Sequence, residues 1–478
     1  MDNTAGKDTG IRRGFWNFID SIKGDKVVWI IVFMLVMISI LAIFSSTSLL
    51  AKGDNDRLNI VKDQIFFAGL GIGVIWALCR IKKIGVFRIV SQLGFTVSLI
   101  LLIMLTTGIE IGSICKTIKM NDAVRIIEIF GLQVHVYEFV KVAMVMYLAW
   151  AIHAYKKDQN ALTKDEKTTT FAFINALSAT KNFAFLAKPF WKRMIYLYAP
   201  IIITCALVIQ GSNSSAIFIG GILIATLMIG GIPMKEIFLA GATCFIGLMF
   251  IVGVHMATDG DVFERAGTLV SRIGDNYSPA ILEEVDSNGK LIIPEGSKKF
   301  RDIVDEIRQP FGAKIAIHEG GILGKGSGNS TQKYLVPLIY SDYMFSFIVE
   351  EYGLWGAFLV IILYVSLLAR GSMIARLCDN EFAKVAVGGL SLLITGQAFM
   401  HMFVNVDIGP MTGQTLPLVS HGSSAFLMFS VAFGVILSIS RMTREKIKEE
   451  EDAAEPIYER KPDEIQATLE DIERLEEL

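Results

Sequence analysis

The chain has 478 residues, 53% of them hydrophobic and only 19% charged. A soluble protein of this length would form two or three domains and carry more charge, whereas here the apolar excess is gathered into runs of about 18 residues or more, long enough to cross a hydrocarbon core. That excludes a soluble enzyme; the net charge of −2 says little about partners, because the signs are segregated along the chain, and no nucleic-acid partner is expected.

In chain order, residues 1–26 form a polar N-terminal segment with no small-residue cleavage site behind an apolar core, so insertion is expected to rest on the spans themselves. About ten spans follow, near 27–50, 64–80, 89–108, 134–154, 194–210, 214–231, 236–255, 343–369, 383–404 and 415–440. The expected fold is therefore an all-α, polytopic membrane bundle of about ten transmembrane helices over 27–441, with a charged tail at 442–478. Basic residues gather in alternate loops: Arg80, Lys82, Lys83 and Arg88, then Lys156 to Arg193, then Arg370, Arg376 and Lys384, then Arg441 to Lys448. Cytoplasmic loops carry the excess of Lys and Arg, so both termini are expected inside. The large loop between the seventh and eighth spans, about 256–342, then faces outward, and a loop of that length is usually functional. No internal repeat is evident, which argues against an inverted-repeat transporter. The five cysteines (Cys79, Cys115, Cys205, Cys244, Cys378) have neither pairing nor metal-ligand spacing and read as small core residues.

Charged residues in apolar helices cost about 2.5–3.5 kcal/mol each on insertion scales, so they mark a wet cavity or a partner. Glu138 and Lys141 are three apart and share a helix face; they fit a structural ion pair or a cavity lining that meets a charged substrate. Asp342 stands where the eighth helix begins, on the outer side. The helix dipole there favours an ionised carboxylate, which suits a base, while the alternative is that Ser341 or Asp342 merely caps the helix. Glu350 and Glu351 lie two turns deeper. "GGILGKGSGNS" departs from a nucleotide-binding loop, since Glu319 takes the place of the first glycine and Gly326 follows Lys325; its backbone N–H groups with Lys325 and Lys333 would still suit a diphosphate. The six histidines show no zinc spacing, and "SHGSSA" lacks the strand–turn–helix setting of a serine nucleophile.

Together these motifs resemble the SEDS family, the polytopic peptidoglycan polymerases of shape, elongation, division and sporulation, over about 27–441. "SSTS" at 45–48 closes the first span as the family's Ser-Ala-Ser run does. Asn121, Ala123, Arg125, Glu138 and Lys141 match its Asn-Gly-Ala-x-Arg-Trp-Ile and Gln-Pro-Ser-Glu-x-x-Lys stretches, with His135, Val136 and Tyr137 replacing Gln-Pro-Ser. "AIHEGGILGKGSGNSTQK" is similar to its glycine block, and Gly328 to Lys333 is more like the division member than the elongation member. Thr412, Gly413, Leu416, Pro417, Ser420, Gly422 and Ser424 are in register with its Thr-Gly-x-x-Leu-Pro-x-x-Ser-Tyr-Gly-Gly-Ser-Ser motif. Pro337, Asp342, Glu350, Glu351 and Gly353 echo Pro-Glu-x-His-Thr-Asp-Phe and the Glu-Glu-x-Gly that follows. The departures are Leu338 and Tyr340 for the family's Glu and His, a Lys333-to-Pro337 spacing one residue shorter, Ser212 or Asn213 near a family acid, His401 in place of an Asn, and an outer loop enlarged around 275–308.

The resemblance implies polymerisation of lipid II into glycan on the outer face of a bacterial plasma membrane, with Asp342 as the catalytic base. It implies a substrate-binding set of Lys333, Lys325, Arg125, Gln332, Asn329, Glu138, Lys141, Glu350 and Ser420, and no resident metal site. A divalent cation, magnesium or manganese, is an expected aid to the leaving diphosphate. The expected partners are lipid II, a class B penicillin-binding protein and other division-site membrane proteins. A lipid II flippase, an elongation-type polymerase and an inactive division scaffold remain as alternatives.

Overall fold

A computed structural model of the chain describes residues 24–47, 54–108, 115–120, 123–129, 132–163, 180–242, 298–336, 339–409 and 412–454, with isolated positions between 171 and 178 and at 247 and 249. The outer loop before residue 298, with the larger part of its enlargement, and the positions Asn121, Pro337 and Leu338 lie outside the described residues.

Among the described residues, eight helices are long and apolar enough to cross a membrane. They are contained in α1 (Lys26–Ser46), α2 (Asp54–Cys79), α3 (Ile84–Thr107), α4 (Val136–Thr163), α5 (Pro189–Ile209), α8 (Met344–Leu377), α9 (Glu381–Asn405) and α10 (Ser423–Ala454). The shorter apolar helix α6 (Asn213–Ile229) accounts for another expected span, and residues 234–242 begin a further helix where the seventh was expected. The all-α bundle read from the sequence is thus present. Helix α10 continues past Arg441 to Ala454, so the start of the charged tail is a helical extension.

Two features were not anticipated. Three strands, β1 (Cys115–Met120), β2 (Ala123–Ile129) and β3 (Leu132–His135), form an antiparallel sheet where the sequence suggested only a connection and a fourth span starting near 134. The alternation in "AVRIIEI" is short and the strands carry polar residues on both sides, so an apolar-run criterion passes over them. The second is α7 (Lys298–Gly320), an amphipathic helix inside the expected outer loop, with Pro310 tolerated within it. It packs on α8.

Packing assigns the helices different depths. α4 lies mostly buried, against α3 and α9, while α2 and α3 leave Phe66, Trp76, Ile89 and Leu93 on the outside, as lipid-facing helices do. Asp25 fixes one end of the bundle. Its carboxylate accepts from Val27 N and Val28 N (2.9 and 3.2 Å), capping α1, and pairs with Arg370 of α8 (2.8 Å) and Arg444 of α10 (2.9 Å). Asp342 precedes α8, so it belongs to the opposite end, about 40 Å away along a helix of this length.

Candidate active site

At the start of α8 the chain turns through Tyr343, which makes no side-chain cap hydrogen bond. The first-turn N–H groups are capped from a neighbouring helix instead. Phe345 N donates to His401 Nε2 (3.3 Å), and Ser346 N and Oγ both donate to Asn405 Oδ1 (2.9 Å each). Asn405 Nδ2 in turn donates to the Asp342 carbonyl (3.1 Å). The capping role that competed with catalysis for Asp342 is therefore filled by α9. The Asp342 carboxylate stays partly exposed at the mouth, with Ser341 Oγ donating to its Oδ1 (3.2 Å) and the Gly413 backbone beside its Oδ2.

The loop 412–421 forms the wall of this mouth. Tyr364 donates to the Pro417 carbonyl (2.6 Å) and Ser39 to the Val419 carbonyl (2.8 Å). Ser420 Oγ accepts from Leu416 N (2.9 Å) and donates to the Ser341 carbonyl (2.7 Å), and His421 N donates to the Tyr340 carbonyl (3.0 Å). Ser420 thus positions the backbone next to Asp342 with a hydroxyl that is fully engaged.

One layer inward, Lys141 Nζ is 1% exposed and donates to Glu138 Oε1 (2.6 Å), Gln397 Oε1 (2.7 Å) and Gln414 Oε1 (2.6 Å). Three acceptors satisfy the three N–H bonds of a buried ammonium. Gln414 also donates to Ser215 Oγ (3.0 Å), and its carbonyl meets His401 Nδ1 (2.7 Å). The expected Glu138–Lys141 contact is therefore present, and the 412–414 segment links it to Asp342. Glu138 Oε2 is buried with no hydrogen-bond partner in the described structure. Ser212 caps α6 through Ser215 N, and Asn213 is buried on the same helix.

Gly320 to Lys333 forms a separate dock. Inside α8, Gly353 adopts φ 65°, ψ −161° and breaks the helix. The carbonyls thereby released accept from the loop: Lys325 N reaches Glu350 O (2.9 Å) and Gly326 N reaches Glu351 O (2.9 Å). A Cβ on Gly353 would lie 2.3 Å from Ile322 O, so only glycine fits. Glu350, fully buried, accepts from Lys325 Nζ (2.8 Å), Ser330 Oγ (2.5 Å), Thr331 N (2.8 Å), Thr331 Oγ1 (3.0 Å) and Gln332 N (3.2 Å). Glu351 accepts from Ser45 Oγ (2.5 Å) and Gly328 N (2.9 Å).

This corrects the expectation that the loop backbone cradles a diphosphate: the N–H groups of Lys325, Gly326, Gly328, Thr331 and Gln332 are already engaged by α8. Lys333 is buried with its ammonium on the Gly328 carbonyl (2.7 Å), and Lys325 also pairs with Glu319. Burial works against the Lys325 charge, but hydrogen bonds to Glu319 and Glu350 raise its pKa overall. The Lys325 and Thr331 hydrogen bonds hold the Glu319 carboxyl below its ordinary value. Asn329 donates to the Lys325 carbonyl (3.0 Å).

The residues named from sequence thus fall into two groups. Asp342, Ser420, Glu138 and Lys141 share the mouth and its inner layer; Lys325, Asn329, Gln332, Lys333 and Glu350 form the dock. Arg125 lies on β2 at the register shift opposite Ile118 and Lys119, the position of a β-bulge. Gln397, Asn405 and Gln414 were missed. A signal existed: Gln397, His401 and Asn405 repeat every fourth residue, a polar stripe on one face of an apolar helix, and all three are buried.

Comparison with known proteins places this architecture. The chain is 26% identical over 428 residues to a probable peptidoglycan glycosyltransferase FtsW of Methylococcus capsulatus, covering 88% of this chain and 90% of that one. It is 37% identical over 150 residues to the peptidoglycan glycosyltransferase MrdB of Escherichia coli K12, covering 29% and 40%. Among solved structures it shares its fold with a chain of a peptidoglycan synthase complex (TM-score 0.57, 17% identity, 87% of this chain and 98% of that chain). The rod shape determining protein RodA of Thermus thermophilus gives a TM-score of 0.51 at 16% identity, over 88% and 98%. The profile of the FtsW/RodA/SpoVE cell cycle proteins matches residues 25–278 and 296–445, and the chain belongs to that family.

Proposed function

We propose that this chain is an inverting peptidoglycan glycosyltransferase that polymerises lipid II into glycan strands, with Asp342 as general base. The observation that carries the reading is the transfer of helix capping to His401 and Asn405, which leaves a partly exposed carboxylate at the mouth of α8. The dipole of α8 favours its ionised form. In the reaction, the acceptor's sugar 4-hydroxyl gives its proton to Asp342 as its oxygen bonds to the donor's anomeric carbon. The bond from that carbon to the polyprenyl diphosphate breaks, and a single displacement inverts the centre. A base must come within about 2.6–3.2 Å of that hydroxyl, which a side chain at the outer mouth can do.

Lys325 and Lys333 are held inside the dock, so Arg125 is the first cation to test for the leaving diphosphate. Among the described residues no group of three or more His, Cys, Asp or Glu side chains converges on a cation site. A divalent cation, magnesium or manganese, would assist the step by offsetting the charge of the leaving diphosphate. The Lys/Arg distribution supports cytoplasmic termini and an outward-facing Asp342. The Gly328–Lys333 block supports a role at the division septum, and the fold shared with a peptidoglycan synthase complex supports a class B penicillin-binding partner.

The test is glycan synthesis from purified lipid II by the purified protein, with and without that partner, comparing wild type and Asp342→Ala. Polymer from wild type alone is expected. Equal polymer from both removes Asp342 as the base, and none from either, with a partner shown to bind, favours transport or scaffolding.

A further inference from the structure

Beside Asp342 stand two aromatic side chains that the mechanism above does not use. The His421 N–H bonds the Tyr340 carbonyl (3.0 Å) and Ser420 Oγ bonds the Ser341 carbonyl (2.7 Å), so 420–421 runs alongside 340–341 and Asp342 follows directly. The Tyr340 and His421 rings meet edge to face, with centroids 5.7 Å apart at 61°. Both side chains are only partly buried.

The hydrogen-bond chain behind His421 fixes its tautomer. The Ser39 hydroxyl hydrogen is committed to the Val419 carbonyl (2.8 Å), an acceptor that cannot reverse, so Ser39 Oγ can only accept from Gln64. The Gln64 group in contact with it (2.8 Å) is therefore the amide NH2, and Oε1 is the atom facing His421 Nδ1 at 3.1 Å. Gln64 is 2% exposed and cannot turn over without breaking both bonds. Nδ1 must donate, which leaves the Nε2 lone pair as an acceptor with no partner among the described residues. Burial keeps this imidazole neutral by lowering its pKa, against the opposing charge of Asp63. Burial and the Asp342 charge raise the Tyr340 phenol, which remains an O–H donor.

We propose that Tyr340 and His421 form a positioning pair for the acceptor sugar: His421 Nε2 accepts from a ring hydroxyl while Tyr340 supplies an apolar ring face and a phenol donor. An acceptor held at a second point presents its attacking hydroxyl to Asp342 in one orientation. A neutral donor–acceptor pair suits a saccharide, whose hydroxyls offer both and carry no charge. This inference rests on the polymerase reading and adds His421 as a substrate-contacting residue, with Gln64 acting through it.

The experiment measures kcat and KM for lipid II polymerisation with the penicillin-binding partner present, in wild type, Asp342→Asn, His421→Gln, His421→Asn and Gln64→Leu, each checked by its unfolding midpoint in detergent. Glutamine places an amide group where Nε2 was and asparagine where Nδ1 was, while both lose the ring. His421→Gln should stay within about threefold of wild-type KM, and His421→Asn should raise KM about tenfold and also lower kcat, because one neutral hydrogen bond and the orientation it fixes are lost together. Gln64→Leu, which touches no substrate, should raise KM about threefold. Equal kinetics for the Gln and Asn variants, or an unchanged KM in Gln64→Leu, overturns the pair while leaving Asp342 in place. An inactive wild type overturns the polymerase reading itself and the pair with it, while a fully active Asp342→Asn keeps the polymerase but removes Asp342 as the base and with it the acceptor site the pair is placed against.

Discussion

Three carboxylates within ten residues, Asp342, Glu350 and Glu351, meet different fates. Glu350 is fully buried and accepts five hydrogen bonds, one from the Lys325 ammonium; Glu351 is equally buried and holds Ser45 and Gly328. Asp342 keeps partial exposure, and the helix end that might have occupied it is capped by α9. Glu350 and Glu351 are fasteners for the glycine block, while Asp342 stands at the rim, where the proposed reaction needs a carboxylate. The same side-chain chemistry thus sits in two settings, buried among donors and partly exposed at the mouth.

The strongest test of that contrast is Asp342→Asn, which keeps the shape and removes the base. Polymerisation from lipid II should fall by about 10²–10⁴, the usual worth of a general base, while the unfolding midpoint is unchanged. A fall in both would move Asp342 into the structural class.

Gly353→Ala should act oppositely. Its Cβ would meet the Ile322 carbonyl at 2.3 Å and Gly324 N at 2.5 Å, at a φ of 65° that alanine disfavours. A loss of about 3 kcal/mol or more is expected, read as a lowered unfolding midpoint and poor yield.

Glu350→Gln removes the charge from a buried, paired site, and destabilisation of about 3 kcal/mol follows from leaving Lys325 with only the more exposed Glu319 as a charged partner among the described residues. The double variant with Lys325→Met should be less damaged than the sum of the singles, which a thermal double-mutant cycle measures. Additivity would show that Lys325 and Glu350 do not act as a pair.

The smallest effect belongs to Glu319, at the exposed edge of the dock. Its folded pKa lies below the ordinary 4.5, so its contribution is present above that value and disappears as the pH falls through the lower folded one. The wild-type unfolding midpoint should therefore drop slightly more than that of Glu319→Gln over that acid range, and parallel curves would remove the contact's contribution.

Length, apolar runs and the spacing of Lys and Arg were enough to read an all-α membrane bundle and to single out Asp342, Glu138 with Lys141, and the glycine block. These are local or compositional signals: about 18–20 apolar residues report a span whatever surrounds it, and a charge in such a run is conspicuous. The three-stranded sheet and α7 escaped because neither is an apolar run. Sequence also could not assign the roles of the acids. That Lys325 is bound by Glu350, that Gln414 reaches Lys141 across 273 positions, and that Asn405 caps α8 from 59 positions away depend on which helices become neighbours. The chain alone determined which residues are costly to place in a membrane, since that follows from side-chain chemistry. Only the tertiary structure decided which of them are buried among protein donors and which stand at the mouth, because hydrogen-bond saturation belongs to the packed bundle and not to any one helix.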